Sequence, residues 1–201
     1  MSKYKIAWLP GDGVGPELAD LAKIVLNTLG LDASFINGDI GWEFWKNEGN
    51  PLPIRTRKII QETDCAFMVA ITSKPQSQAI KELEPSIEKE GIKYISPILK
   101  IRQDMDLHTN IRPCKSYFGN RLNYRDDIDI TIIRENTEGL YSGVEFLPVP
   151  DEVFSVLKNH NTNMNRFAEN SLNDIAISTR ICTRKGCRSI VYQAFEYAKK
   201  N

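Results

Sequence analysis

The sequence predicts an α/β fold in two domains, the first opening a parallel sheet and the second smaller and richer in strands. Three observations predict it. Residues 4–9 (Tyr-Lys-Ile-Ala-Trp-Leu) are an apolar run that passes through Gly11-Asp-Gly-Val-Gly-Pro-Glu17 into residues of helical spacing, the strand–turn–helix opening of a parallel sheet. After about residue 107 the apolar runs become strand-like, at Leu107–Arg112, Ile128–Arg134 and Ile175–Cys182. Between these halves, the boundary falls near residues 95–107, so that 1–106 begins a large α/β domain and 107–201 forms most of a smaller one.

The elements follow in order. Pro10 ends the first strand, and Pro16 suits the first helical position, where its missing N–H costs nothing. Leu18, Leu21, Ala22, Val25, Leu26 and Leu29 repeat at helical spacing, and Gly30 suits the helix C-terminus. Residues 33–37 read as a second strand, 41–48 and 54–63 as helices, and 65–71 as an apolar run long enough for a central strand. Residues 72–93 read as surface loop and helix, and 97–106 as a short helix opened by Pro97. Residues 136–174 are Asn-rich and predict no long regular element, whereas Ile175, Ile177, Thr179 and Ile181 alternate as a strand does. A final helix over 184–200 places Ile190, Val191, Ala194, Phe195 and Ala198 on one face.

Composition narrows the function classes. The 26 basic and 26 acidic side chains cancel, so there is no long-range field to gather nucleic acid or an anionic membrane. No apolar stretch approaches the roughly 20 residues of a membrane helix, and the N-terminus does not resemble a signal peptide. A cytoplasmic interior, bacterial or organellar included, is the expected compartment. Cys65, Cys114, Cys182 and Cys187 form no CxxC pair and read as free thiols.

Candidate chemistry rests on a few side chains. Arg102 lies near a helix end, Arg112 ends a strand before Pro113, and Arg134 ends another strand. The guanidinium fork binds carboxylates bidentately, so three forks brought together would hold a di- or tricarboxylate; as three solvated surface charges they would hold nothing. Residues 134–145 (Arg-Glu-Asn-Thr-Glu-Gly-Leu-Tyr-Ser-Gly-Val-Glu) pack charged and amide groups around Tyr141 directly after an apolar strand. Tyr141 reads either as a proton donor beside cations or as part of an exposed turn. The turn at 11–17 reads equally as a structural turn or a cofactor contact, since it is neither GxGxxG nor a P-loop. His108 and His160 read as packing or surface residues, and Asp126, Asp127 and Asp129 as a solvated turn; no metal site is assigned.

Four blocks together resemble the isocitrate/isopropylmalate dehydrogenase family, the metal-dependent β-decarboxylating dehydrogenases. They are GDGVGPE (11–17), SPILKIRQDMDLHTNIRP (96–113), DIDITIIRENTEGLYSGVE (127–145) and TRKGCRSIVYQAFEYAKKN (183–201), in the family's order. The resemblance spans essentially the whole chain and is weakest over 72–95. It implies a partial large α/β domain plus most of a smaller domain whose stretch at about 142–180 is an arm joining two subunits. It makes Arg102, Arg112 and Arg134 ligands of substrate carboxylates, Tyr141 the catalytic acid, and Ser96 a contact beside the substrate's distinguishing group.

The implied reaction is hydride transfer from a 2-hydroxy acid to NAD or NADP, then decarboxylation assisted by Mg²⁺ or Mn²⁺. Residues 70–95 depart from the family pattern and leave Thr72 and Lys74 as the stand-ins for cofactor contacts. The family's catalytic lysine and metal-binding aspartates match no residue here and are expected beyond Asn201. The chain is therefore expected to be the N-terminal half of such an enzyme, inactive alone and paired as a homodimer or with a relative. The alternative is a non-catalytic regulatory or binding subunit that pairs with a full-length relative. Isocitrate or homoisocitrate is the favoured substrate, with isopropylmalate the third candidate.

Overall fold

The computed structural model describes residues 2–87 and 91–201; residues 88–90, part of the segment expected as surface loop and helix, lie outside the described residues. The contacts divide the chain into Met1–Ile101 and Arg102–Asn201.

The first unit is built on a parallel sheet of order β2-β1-β3, from β1 (Tyr4–Gly11), β2 (Ala33–Asn37) and β3 (Cys65–Ala70). The run at 65–71, read as long enough for a central strand, lies at an edge of this sheet; β1 is central. Burial explains the order, because Ile6, Ala7, Trp8 and Leu9 of β1 are buried whereas β3 is exposed to half-buried. Trp8 stacks on Phe67, its partner across the β1–β3 ladder, at 4.7 Å, and meets Phe35 of β2 edge-on at 5.1 Å. Aromatic pairs of this kind add stabilisation beyond their buried area.

Helix α1 (Gly15–Thr28) begins where sequence places it, with Pro16 in its first turn. The turn before it depends on missing side chains. Gly11 sits at φ +80°, and a Cβ there would lie 1.7 Å from the Ala70 carbonyl oxygen. A Cβ on Gly15 would lie 2.2 Å from the Pro10 carbonyl. The turn thus presses its backbone against the end of β3.

Helices α2 (Trp42–Glu48), α3 (Ile54–Gln61) and α4 (Gln76–Lys81) follow. A second cluster joins Trp42 and Trp45 to Ala79 and Leu83, with Tyr94 packed against it. The buried Trp45 indole donates to the Ala79 carbonyl at 2.8 Å. Helix α5 (Pro97–Asp104) carries the division between the units, with Ile101 on one side and Arg102 on the other.

The second unit holds an antiparallel pair, β4 (Thr109–Lys115) and β5 (Asp129–Glu135). Strand β4 runs through Pro113, so Arg112 lies within the strand and does not end it; Pro113 is tolerated because, among the described residues, β4 pairs on one side only, with β5. Asn110 lies opposite Arg134, and Arg112 opposite Ile132. Side chains alternate along a strand and opposite residues share a face, so Asn110, Arg112 and Arg134 stand on one face. The other face presents Thr131 and Ile133 to Ala194 and Tyr197 of α7 (Arg184–Lys200).

Two expectations fail in the segment between. A ten-residue helix, α6 (Asp151–His160), occupies part of 136–174, with Phe154 buried. The strand expected over 175–182 shrinks to β7 (Ile177–Ser178), paired with β6 (Glu145–Phe146), plus an isolated bridge from Ile181 to Gly139. The short partner limits the ladder, whatever the alternation of the longer run.

Candidate functional site

The second unit brings Arg102 and Arg134 to Tyr141, with Arg112 on the same sheet face as Arg134. This residue sits in a 3-10 turn, Leu140–Ser142, between Gly139 (φ +69°) and Gly143 (φ +67°). The turn is tied down at several points. Gly139 N–H donates to the Ile181 carbonyl at 2.7 Å, and Gln103 reaches the Tyr141 carbonyl at 3.3 Å. The Glu138 carboxylate accepts from the Thr183 N–H at 2.7 Å and from its hydroxyl at 2.5 Å. Thr183 in turn caps α7 through Gly186 N–H.

Two guanidinium groups flank the Tyr141 ring. Arg134 lies 5.0 Å and Arg102 5.8 Å from the ring centroid, both within cation–π range. Arg134 Nη2 also donates to the Tyr141 hydroxyl oxygen. Arginine has no acceptor, so this bond occupies an oxygen lone pair and leaves the phenol's own proton free; no described residue accepts it. Arg112 stands on the Arg134 face of the sheet and donates to Asn110 Oδ1 at 3.3 Å.

Among the described residues, none of Arg102, Arg112 and Arg134 is paired with a carboxylate, whereas Arg55 holds both Glu48 and Asp39. The nearest acid in sequence, Glu135, is committed elsewhere. Its oxygens accept from Thr137 N–H and hydroxyl and from Glu138 N–H, at 2.7–2.8 Å. Burial pushes the Glu135 carboxyl up, but these donors outweigh it and hold it below the usual value. Glu135 therefore does not neutralise Arg134.

The remaining candidates lie in the first unit. Ser96 directly precedes α5, its carbonyl accepting from Lys100 N–H. Thr72 donates its N–H to Asp12 Oδ1 at 2.6 Å and accepts from the Tyr94 hydroxyl. Lys74 is held by Glu82 at 2.6 Å and lies 4.8 Å over the Trp42 ring. The Lys74 ammonium and the Trp42 indole N–H together keep the Glu82 carboxyl below its usual value. Asp12 also accepts from Trp42 N–H. Asp12 of the glycine turn and Lys74 thus have partners inside the protein.

Sequence reasoning missed two site features. Arg180 and the thiols of Cys182 and Cys187 line the same cavity as Arg134 and Tyr141; the basic run around the start of α7 was the available signal. Asn136 is buried and donates to the Leu107 carbonyl, linking the end of β5 to the segment after α5. Among the described residues no group of three His, Cys, Asp or Glu side chains is placed to hold a metal ion.

Comparison with known proteins identifies the family. The family model for isocitrate/isopropylmalate dehydrogenase matches residues 5–201. The protein DlpA of Legionella pneumophila is 43% identical over 157 residues, covering 76% of this chain and 24% of that protein. The homoisocitrate dehydrogenase of Methanocaldococcus jannaschii is 35% identical over 206 residues, covering 98% of this chain and 49% of that one. The crystal structure of isocitrate dehydrogenase from Methylococcus capsulatus superposes with a TM-score of 0.72 at 28% identity, over 98% of this chain and 48% of that one. The chain thus spans about a quarter of the first relative and about half of the second. With the match running from residue 5 to the last residue, the chain belongs to the isocitrate/isopropylmalate dehydrogenase family.

Proposed function

We propose that this chain supplies the substrate-carboxylate and proton-donor part of a metal-dependent oxidative decarboxylase acting on a 2-hydroxy di- or tricarboxylate, and that it is inactive alone. The Tyr141 hydroxyl carries the proposal: Arg134 occupies its oxygen from one side and no described residue accepts its proton. A phenol held this way can give its proton to an enolate carbon as carbon dioxide leaves. Arg102, Arg112 and Arg134 hold the substrate's carboxylates and fix its pose, which lowers the barrier by orientation and by charge neutralisation. Ser96 contacts the substrate's distinguishing group.

The described residues do not fit a resident Mg²⁺ or Mn²⁺, because no ligand set is gathered. The NAD or NADP contacts are assigned to Thr72, whose backbone N–H already serves Asp12, and to Lys74, whose ammonium already pairs with Glu82. In this reading the metal chemistry rests on residues other than those described. Isocitrate and homoisocitrate are favoured over isopropylmalate, since three arginines suit three carboxylates. The same missing ligand set favours a second reading, a polycarboxylate-binding regulatory subunit that pairs with a full-length relative.

A thermal-shift titration tests the shared core of both readings. Isocitrate at about a hundredfold excess over its Kd should raise the midpoint by about 5–10 °C, and Arg112→Gln should reduce that rise. An unchanged midpoint with isocitrate and homoisocitrate overturns the proposal.

A further inference from the structure

Two thiols that the proposed chemistry does not use, Cys182 and Cys187, line one cavity of about 280 Å³ beside the Tyr141 turn. Helix geometry places them together. Thr183 is the N-cap of α7: its backbone is extended (φ −98°, ψ 155°), its hydroxyl accepts from Gly186 N–H at 2.9 Å, and its carbonyl accepts from Cys187 N–H at 3.0 Å. Cys182 is therefore the residue before the cap, and Cys187 is the fourth residue of the helix. These are the two positions whose side chains meet across the first turn of a capped helix. Both thiols are free and exposed, so a reagent in solution reaches them.

Cys182 also sits between the two residues that tether the Tyr141 turn. Ile181 before it accepts the Gly139 N–H at 2.7 Å, and Thr183 after it gives its N–H and its hydroxyl to Glu138. Side chains in van der Waals contact stand about 4 Å apart, whereas a disulfide holds its sulfurs at about 2.05 Å and its Cβ atoms at about 3.8 Å. Closing this pair draws Cys182 toward α7 and pulls on both tethers.

We propose that Cys182 and Cys187 are a redox modification site, a dithiol that exchanges with a small disulfide of the glutathione class, and that its closure loosens the Tyr141 turn. One protein thiolate attacks the small disulfide, releasing one thiol and leaving a mixed disulfide. The second protein thiolate attacks the protein sulfur of that mixed disulfide, forms the Cys182–Cys187 bond and releases the second thiol. The two protein thiols lose two electrons and two protons, and the small disulfide gains them as two thiols. The consequence for ligand binding rests on the proposed function; the dithiol itself does not.

The whole chain is equilibrated in buffers of oxidised and reduced glutathione, quenched by alkylation and cut with trypsin without reduction. Trypsin cuts after Arg180, Arg184, Lys185 and Arg188, so closure links the peptide Ile181–Arg184 to Gly186–Arg188. Cys65 and Cys114, which do not line the cavity, report unselective oxidation. The linked pair is expected as the main oxidised product. Hydrogen exchange read by mass spectrometry is expected to quicken several-fold over Gly139–Tyr141 in the oxidised chain, and calorimetry to show isocitrate binding weakened by at least about tenfold, the range of coupling between two sites. Cys187→Ser is expected to give no linked pair and to bind isocitrate as the reduced, unaltered chain does. Mixed disulfides without the linked pair, a linked pair without faster exchange, or a linked pair with isocitrate affinity unchanged each overturns the inference and leaves the proposed function standing. If the reduced chain binds no isocitrate, the proposed function falls, and the linked peptides and the exchange alone decide the dithiol.

Discussion

Tyr141 lies against two guanidinium groups that pair with no carboxylate among the described residues, and substitutions there separate binding from proton transfer. Tyr141→Phe keeps the ring beneath Arg102 and Arg134 and removes only the O–H. Isocitrate affinity should change by no more than about threefold, while in the complete enzyme kcat should fall by about 100-fold or more, the range of a lost general acid. Steady-state kinetics together with calorimetry check this, and an unchanged kcat contradicts the assigned role. Glu135 offers a separate test through pH. Its carboxyl is held below the usual 4.5 in the folded state, so its contribution to stability is present above the unfolded value and is lost as pH falls through the folded one. Denaturant melts at descending pH should show the unaltered chain losing stability more steeply below pH of about 4.5 than Glu135→Gln does.

At the scale of elements, the glycine turn makes the sharpest prediction. Gly11→Ala places a Cβ against the Ala70 carbonyl at a positive φ, and neither backbone can yield without breaking the β1–β3 ladder. It should cost more than about 3 kcal/mol or prevent folding. Gly30→Ala, also at positive φ but with open space around it, should cost only about 1 kcal/mol. Equal costs would show that conformation, rather than the contact with β3, decides the turn. This turn was legible in sequence because an apolar strand, a glycine cluster and Pro16 follow one another without a gap. Helix α6 was not, although its signals were present: Asp151 and Glu152 in the first turn and Lys158 and His160 in the last complement the helix dipole. The Asn-rich flanks hid it. The strand expected at 175–182 failed for the opposite reason, since alternation reports a face and not the length of the partner. At the site, residue types were legible but proximity was not. Arg112 and Arg134 share a face only through the β4–β5 register, and Arg180 reaches the Tyr141 turn only through the Gly139–Ile181 bridge.

Across the whole molecule, burial is uneven. In the second unit the buried hydrophobic residues among those described are Val149 and Phe154, while Val191, Tyr192 and Phe195 of α7 are 54, 61 and 74% exposed. An apolar helix face left open in this way suits a partner, in keeping with the proposed homodimer or complex with a relative. Phe195→Asp should therefore shift the chain toward monomer in sedimentation velocity, with the fold unchanged by circular dichroism; an unchanged distribution speaks against this face. No described helix is long and apolar enough to cross a membrane.

If Arg102 and Arg134 beside Tyr141, with Arg112 on the Arg134 face of the sheet, hold the carboxylates of a hydroxy acid, binding of that acid depends on them. The most direct measurement is calorimetric titration of isocitrate into the unaltered chain and into Arg134→Gln, without metal or nucleotide. The account predicts saturable binding that Arg134→Gln weakens by at least about tenfold, as for a lost charge-assisted hydrogen bond. Equal binding by the two proteins, or none by either, would contradict it.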